Sequence, residues 1–146
     1  MKRNIYMLSL TAGIAIAILT IMFYSQAGKT SNVQVSIGDS SKFTEKEINE
    51  AVDAVKKKFR SFEGCELTDL WYSEAESDRY SRDYLTYGKG SDDMKDENVI
   101  VLLSNFIVDA SGGDGSFNPN STYVDWQWIL VRDSKSDKWR VDDWGY

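Results

Sequence analysis

The stretch Asn98-Val99-Ile100-Val101-Leu102-Leu103-Ser104-Asn105-Phe106-Ile107-Val108-Asp109-Ala110 decides the fold. Successive side chains of a strand point to opposite faces. Here Val99, Ile100, Val101, Leu102, Leu103, Phe106, Ile107 and Val108 make both faces apolar. Such a strand belongs in the centre of a sheet with cover on each side.

Downstream, Ser111 to Ser121 is a Gly, Asn and Pro-rich loop. Tyr123 to Asp133 then reads as a second strand. Val124, Trp126, Trp128 and Leu130 are expected on one face, and Tyr123, Asp125, Gln127, Ile129 and Val131 on the other. A polar turn, Ser134–Asp137, leads into a third strand from Lys138 to Trp144, with Trp139 and Val141 on one face. Local loops join the three strands, which predicts an antiparallel meander.

Upstream, Cys65 to Tyr72 reads as another strand. It follows the clearest helix of the chain. Thr44 and Glu47 have the spacing of a capping box, and Phe43 and Ile48 that of a hydrophobic staple. Ile48, Ala51, Val52, Val55, Phe59 and Phe62 recur at helical period, giving one apolar face over Thr44–Phe62. Glu45 and Glu47 sit at the positive end of the helix dipole, and Lys56, Lys57, Lys58 and Arg60 at the negative end. That placement makes the lysine run a solvated helix terminus rather than a binding patch. Gly64 is the expected stop. Between Ser73 and Asp96 the chain is polar and reads as a long connection with one helical turn around Ser81–Tyr87. A helix, a strand and a meander make an α+β domain, with one amphipathic helix on a curved antiparallel sheet. Strands and helices do not alternate, against a doubly wound fold.

Before the domain lies an uncharged, mostly apolar run, Ile5 to Tyr24, preceded by Lys2 and Arg3. Two readings share one topology. Ser25-Gln26-Ala27 is an A-x-A-like site at which a secretory signal would be cleaved. The run is also long enough, at roughly 20 residues, to be kept as a membrane span. In either case the positive-inside rule leaves the N-terminus in the cytoplasm and the domain outside. The expected organisation is a signal peptide or anchor at 1–27, a flexible spacer at 28–40 and an extracytoplasmic domain at 41–146, held to the membrane through residues 5–24 or secreted after cleavage at Ala27. The alternation Val33, Val35, Ile37 gives the spacer a minor strand. The only cysteine, Cys65, lies far downstream of the run, against a lipid-modified anchor.

Composition narrows the function. Of 17 basic and 23 acidic residues, only Lys2 and Arg3 precede Gly28, so the exported part carries 15 against 23, or −8. That balance excludes nucleic acid as a partner, because phosphates need a positive surface. The chain has no histidine, which removes Ser-His-Asp and Cys-His catalysis and the commonest zinc ligand. One cysteine allows no internal disulfide, and Cys65 reads as a small buried hydrophobe. With 13% aromatic residues and one proline, the chain has the means to fill a core.

The loop Asp109 to Ser116 offers oxygen ligands and glycines, but lacks the Asp-x-Asp spacing and terminal Glu of a calcium loop. It is expected to be a plain connection. No metal or cofactor is implied. Trp71, Trp126, Trp128, Trp139 and Trp144 are dense for one small domain. Buried, each fills roughly 150–250 Å² of core; exposed, each could stack on a sugar ring of the cell wall. Trp126 and Trp128 share a face and are expected inside.

Several segments resemble a known family: Gly64-Cys65-Glu66-Leu67, Trp71-Tyr72, Asn98-Val99-Ile100-Val101-Leu102-Leu103-Ser104, Trp126-Gln127-Trp128-Ile129-Leu130-Val131-Arg132 and Asp143-Trp144-Gly145-Tyr146. They resemble small uncharacterised exported proteins of Gram-positive bacteria, a domain of unknown function grouped with the cystatin-like, nuclear transport factor 2-like α+β rolls. The resemblance covers roughly Phe43 to Tyr146. It implies a cone between helix and sheet, which some rolls use for catalysis with an Asp base and Tyr donors and others fill with side chains. The family has no established activity, so no catalytic residue transfers. This chain shows one long helix where larger rolls have more. The residues that would line such a cone are Asp69, Tyr72, Asp125 and Trp128. Asp69 or Asp125 would serve as a base with raised pKa if it faced an apolar cavity; facing solvent, it would do nothing of the kind. The expected function is therefore non-enzymatic: an extracytoplasmic domain that binds a protein or small ligand of the cell envelope. The alternatives are a glycan-binding module built on tryptophans and a small-molecule enzyme with a carboxylate base.

Overall fold

The structure is a computed structural model that describes residues 14–18, 26–90 and 94–146. Most of the apolar run at 5–24 lies outside the described residues; 14–18 are helical. Among the described residues no helix is long and apolar enough to cross a membrane.

The elements follow in the order β1 (Gln34–Ile37), α1 (Glu45–Phe59), β2 (Cys65–Tyr72), α2 (Glu74–Tyr87), β3 (Val99–Val108), β4 (Thr122–Val131) and β5 (Arg140–Gly145). The sheet has five strands in sequence order, β1-β2-β3-β4-β5, so β3 is central. β2 to β5 are antiparallel neighbours, as the local loops predict. β1 lies parallel to β2 with α1 as the crossover.

α1 forms as its sequence dictates. Thr44 Oγ1 accepts from the Glu47 amide at 3.3 Å, and the Glu47 carboxylate accepts from the Thr44 amide at 2.8 Å. Ile48, Ala51, Val52, Val55 and Phe59 are buried against the sheet, and Phe62 is buried just beyond the helix end. Gly64, at φ +66, turns the chain into β2; a Cβ there would lie 2.6 Å from Ser111 Oγ.

Four expectations need correction. The connection at 73–96 contains the 14-residue α2. Its buried face is Ser77, Ser81 and Tyr84, too polar to register as an apolar stripe. With Tyr84, Val99 and Val131 at its centre, it covers the face of β3 opposite α1. The domain thus has helices on both faces, not one helix on a sheet.

The stretch 28–40 is not a free spacer. Gly28 N–H donates to Arg60 O (3.1 Å), Lys29 N–H to Cys65 O (2.9 Å) and Leu67 N–H to Lys29 O (2.9 Å), before β1 pairs with residues 69–72. Gly28 is buried, and a Cβ on it would lie 2.1 Å from Phe59 O. Only glycine admits this approach of two backbones.

The alternation expected for β4 breaks at Asp125, whose φ is +54. The register slips between Ser104↔Trp126 and Phe106↔Tyr123, so Val124 and Asp125 together oppose Asn105. This bulge puts Tyr123 on the same face as Trp126 and Trp128, and turns Val124 out to solvent. A second bulge on β2, at Thr68 between Leu67 and Asp69, also opposes Asn105. Lastly, α1 ends at Phe59, short of the Phe62 its spacing predicts, because the chain leaves the helix to meet Gly28.

Candidate functional site

The space between α1 and the sheet is filled. Phe59, Phe62, Phe106 and Trp128 pack edge-on or tilted, with centroids 5.2–6.2 Å apart. Phe43, Tyr72 and Trp139 close the other end of the same core. The hollows are open and superficial. One of about 400 Å³ lies between α1 and Trp139, and one of about 390 Å³ between Ile37 and Phe43.

The four residues placed in a cone by sequence do not converge. Trp128 is fully buried, and its indole N–H donates to Ser104 Oγ at 2.8 Å. Tyr72 is buried at the opposite end, its hydroxyl 3.1 Å from Ser40 Oγ. Burial, and then the nearby Glu74, Asp78 and Asp96 carboxylates, raise its pKa, so it stays a neutral phenol. Asp69 and Asp125 lie on the face away from α1, at the two bulges. Asn105 joins them: its Oδ1 accepts from the Asp125 amide (3.1 Å) and its Nδ2 approaches Asp69 Oδ2 (3.4 Å). The Thr68 hydroxyl lies 2.8 Å from the same Asp69 oxygen. The Asp69 carboxylate is thus tied to the side chains at the bulge, and Asp125 is held through its backbone amide with its side chain exposed; neither faces an apolar cavity.

That outer face is divided. α2 covers the half near Val99 and Val131. Among the described residues no helix covers the other half, where Gln26, Ala27 and Lys29 line a hollow with Glu66 and Ile107. This half shows Ile107 (42% exposed) and Val124 (51% exposed) with Glu66, Asp69 and Asp125 around them. Sequence alone placed Val124 inside; the bulge at Asp125 is what exposes it.

A second cluster gathers where α1 ends. Phe62 lies against Phe117, Trp126 and Trp144, and Tyr146 against Tyr123 and Trp126. Trp144 is 40% exposed and Tyr146 74%. The Lys58 ammonium sits 4.0 Å over the Trp144 ring. The Trp126 indole N–H is buried with no acceptor among the described residues. Trp71 is half-buried on the outer face and donates to Glu76. The density of aromatics foretold this cluster, but not its place at one end of the domain.

Cys65 is buried, and its thiol is pushed up to about 11, first by burial and then by Asp109 and Asp114, so it stays protonated. The Glu74 carboxylate accepts from the Ser40 and Ser41 hydroxyls and from the Ser41 and Lys42 amides, which bring it down to about 2. This latch ties the start of α2 to the segment before α1. In the 109–116 loop, Asp109 accepts from Ser111 and Asp114 from Ser116. Among the described residues no group of three or more acidic or cysteine side chains is placed to hold a metal ion.

Comparison with protein-family models, with curated proteins and with solved structures returned no match for this chain.

Proposed function

We propose that the chain is an exported, membrane-tethered domain of the α+β roll kind that binds a protein at the cell envelope and catalyses no reaction. The half of the outer face that no described helix covers carries this reading. The solvated face of an antiparallel sheet is commonly polar at its outward positions. Here Ile107 and Val124 are displayed between Glu66, Asp69 and Asp125. Such a patch fits a partner that brings an apolar contact rimmed by basic residues. The filled interior and the separation of Asp69 and Asp125 from Tyr72 and Trp128 weigh against a base working in a cavity.

The test is site-specific photo-crosslinking of the full chain in native membranes, with the probe at Ile107 or, as control, at Arg82 on the exposed side of α2. A discrete adduct is expected from Ile107 only, abolished by Val124→Asp. Full function of an Ile107→Asp, Val124→Asp chain in a strain lacking the wild type would overturn the reading.

A second reading, recognition of cell-wall glycan, is favoured by the exposure of Trp144 and Tyr146. It predicts that the domain sediments with purified cell wall, and that Trp144→Ala abolishes this.

A further inference from the structure

We propose that the end of the domain bearing Trp144 and Tyr146 rests on the outer surface of the bilayer, with these two rings in the headgroup layer. The inference rests on the membrane-tethered reading above. It assigns the exposed rings to lipid rather than to sugar.

The argument begins with the length of chain between membrane and domain. The apolar run ends at Tyr24, and Gln26 is already held, since its carbonyl accepts from the Gly64 amide at 2.9 Å. Gly28 follows against the carbonyls that end α1, and Lys29 pairs with the start of β2. Only Ser25 separates the run from the first held residue. Two residue steps reach at most about 7 Å, even fully extended. The end of the domain that holds Gln26 therefore has no slack with which to stand off from the bilayer.

Phe62 connects that end to the aromatic cluster. Its carbonyl lies beside Gly28, and its ring packs against Trp126 and Trp144, on which Tyr146 continues the cluster. The rings are thus at the tether end and not at the far one. Trp and Tyr are the side chains that favour the membrane–water boundary, with an apolar body and one polar atom. Lys58 and Arg60 from the last turn of α1 complete the composition of such a belt; Arg60 is exposed, and Lys58 lies across Trp144. Glu63, Asp109 and Asp114 share this end, so ring insertion drives the contact, not attraction to anionic lipid.

The experiment places the full chain in phosphatidylcholine vesicles whose acyl chains carry bromine just below the headgroup, and reads tryptophan emission. Quenching relative to unbrominated vesicles is expected, and it should be lost in Trp144→Phe. Tyr146→Trp, at the most exposed position, should add a quenched component. This variant keeps the test valid even if Trp144→Phe disturbs the core. A chain that floats with the vesicles but shows no quenching in wild type or in Tyr146→Trp overturns the proposal and leaves the tether standing. A native chain whose intact mass begins at Gly28, and which does not float, overturns the tether and the proposal with it. Quenching that Trp144→Phe leaves unchanged, with none added by Tyr146→Trp, also overturns the assignment of this surface.

Discussion

Glu47→Gln is the substitution with the best-determined consequence. Glu47 serves two structures at once: it closes the capping box of α1 and accepts from Arg132 Nη1 at 2.8 Å. The Arg132 side chain is 2% exposed and that of Glu47 14%, so the pair is largely withdrawn from water. Arg132 keeps two other contacts, the Glu97 carbonyl at 3.0 Å and the Trp139 ring at 4.2 Å. Burial alone would raise the Glu47 carboxyl. The Thr44 amide and hydroxyl, then Arg132, outweigh it and bring the pKa from 4.5 down to about 2. A change of that size is about 3 kcal/mol of preference for the ionised form, reduced to about 2 kcal/mol where water reaches the pair. Because the folded pKa lies below the unfolded one, this stabilisation is complete above pH 4.5 and lost as the pH falls toward 2. Glutamine can still cap the helix, so the substitution isolates the charge. Denaturant unfolding of the full chain in mild detergent, followed by tryptophan emission, should show a loss of about 2–3 kcal/mol at neutral pH. The gap to wild type should close as the pH is lowered from 5 to 2. Adding Arg132→Met should recover part of the loss, since the buried cation no longer lacks a partner. A loss below about 0.5 kcal/mol, the range of an ordinary surface substitution, would refute the reasoning, as would a gap that does not narrow in acid.

Gly28→Ala pushes a methyl group to 2.1 Å from Phe59 O; it should destabilise by about 1–3 kcal/mol in the same unfolding assay, while Gly115→Ala, with open space around it but φ +93, should cost only about 1 kcal/mol. Ser77→Ala removes the acceptor of the buried Val101 N–H and should cost about 1–3 kcal/mol, whereas Ser81→Ala, whose hydroxyl is buried with no partner among the described residues, should be neutral or slightly stabilising. Cys65 should resist a thiol reagent at pH 8 in the native state and react at once in denaturant; labelling at equal rates in both would contradict a thiol held up to about 11.

What could be read from sequence followed the strength of the apolar signal. β3 is buried from Val99 through Ser104 because almost every position is apolar, and the α1 cap is visible because its two side chains sit three residues apart. α2 escaped for the opposite reason. Serines at 77 and 81 let the helix approach β3 closely enough for Ser77 to take the Val101 amide, yet they contribute nothing to an apolar stripe. The strict two-residue period failed at Asp125, because a bulge adds a residue to one strand without announcing itself in composition. The bulges on β2 and β4 explain the reading of Asp69 and Asp125 as potential bases. Carboxylates inside apolar strands mark either a cavity or a break in the ladder, and only the register tells which.

The parallel pairing of β1 with β2 governs how the domain bears a load. The chain enters at Gln26, beside the start of β2, and β1 runs in the same direction as β2. On the tethered reading proposed above, a pull at Gln26 meets the bonds of Lys29 and then those of β1, which lie across the strand direction. The bonds at Lys29 and along β1 are then sheared together, rather than opened one after another from an end. On that same reading, a force drawing the domain away from the bilayer would load this first strand in its strongest geometry, with Gly28 wedged under the end of α1 as the stop.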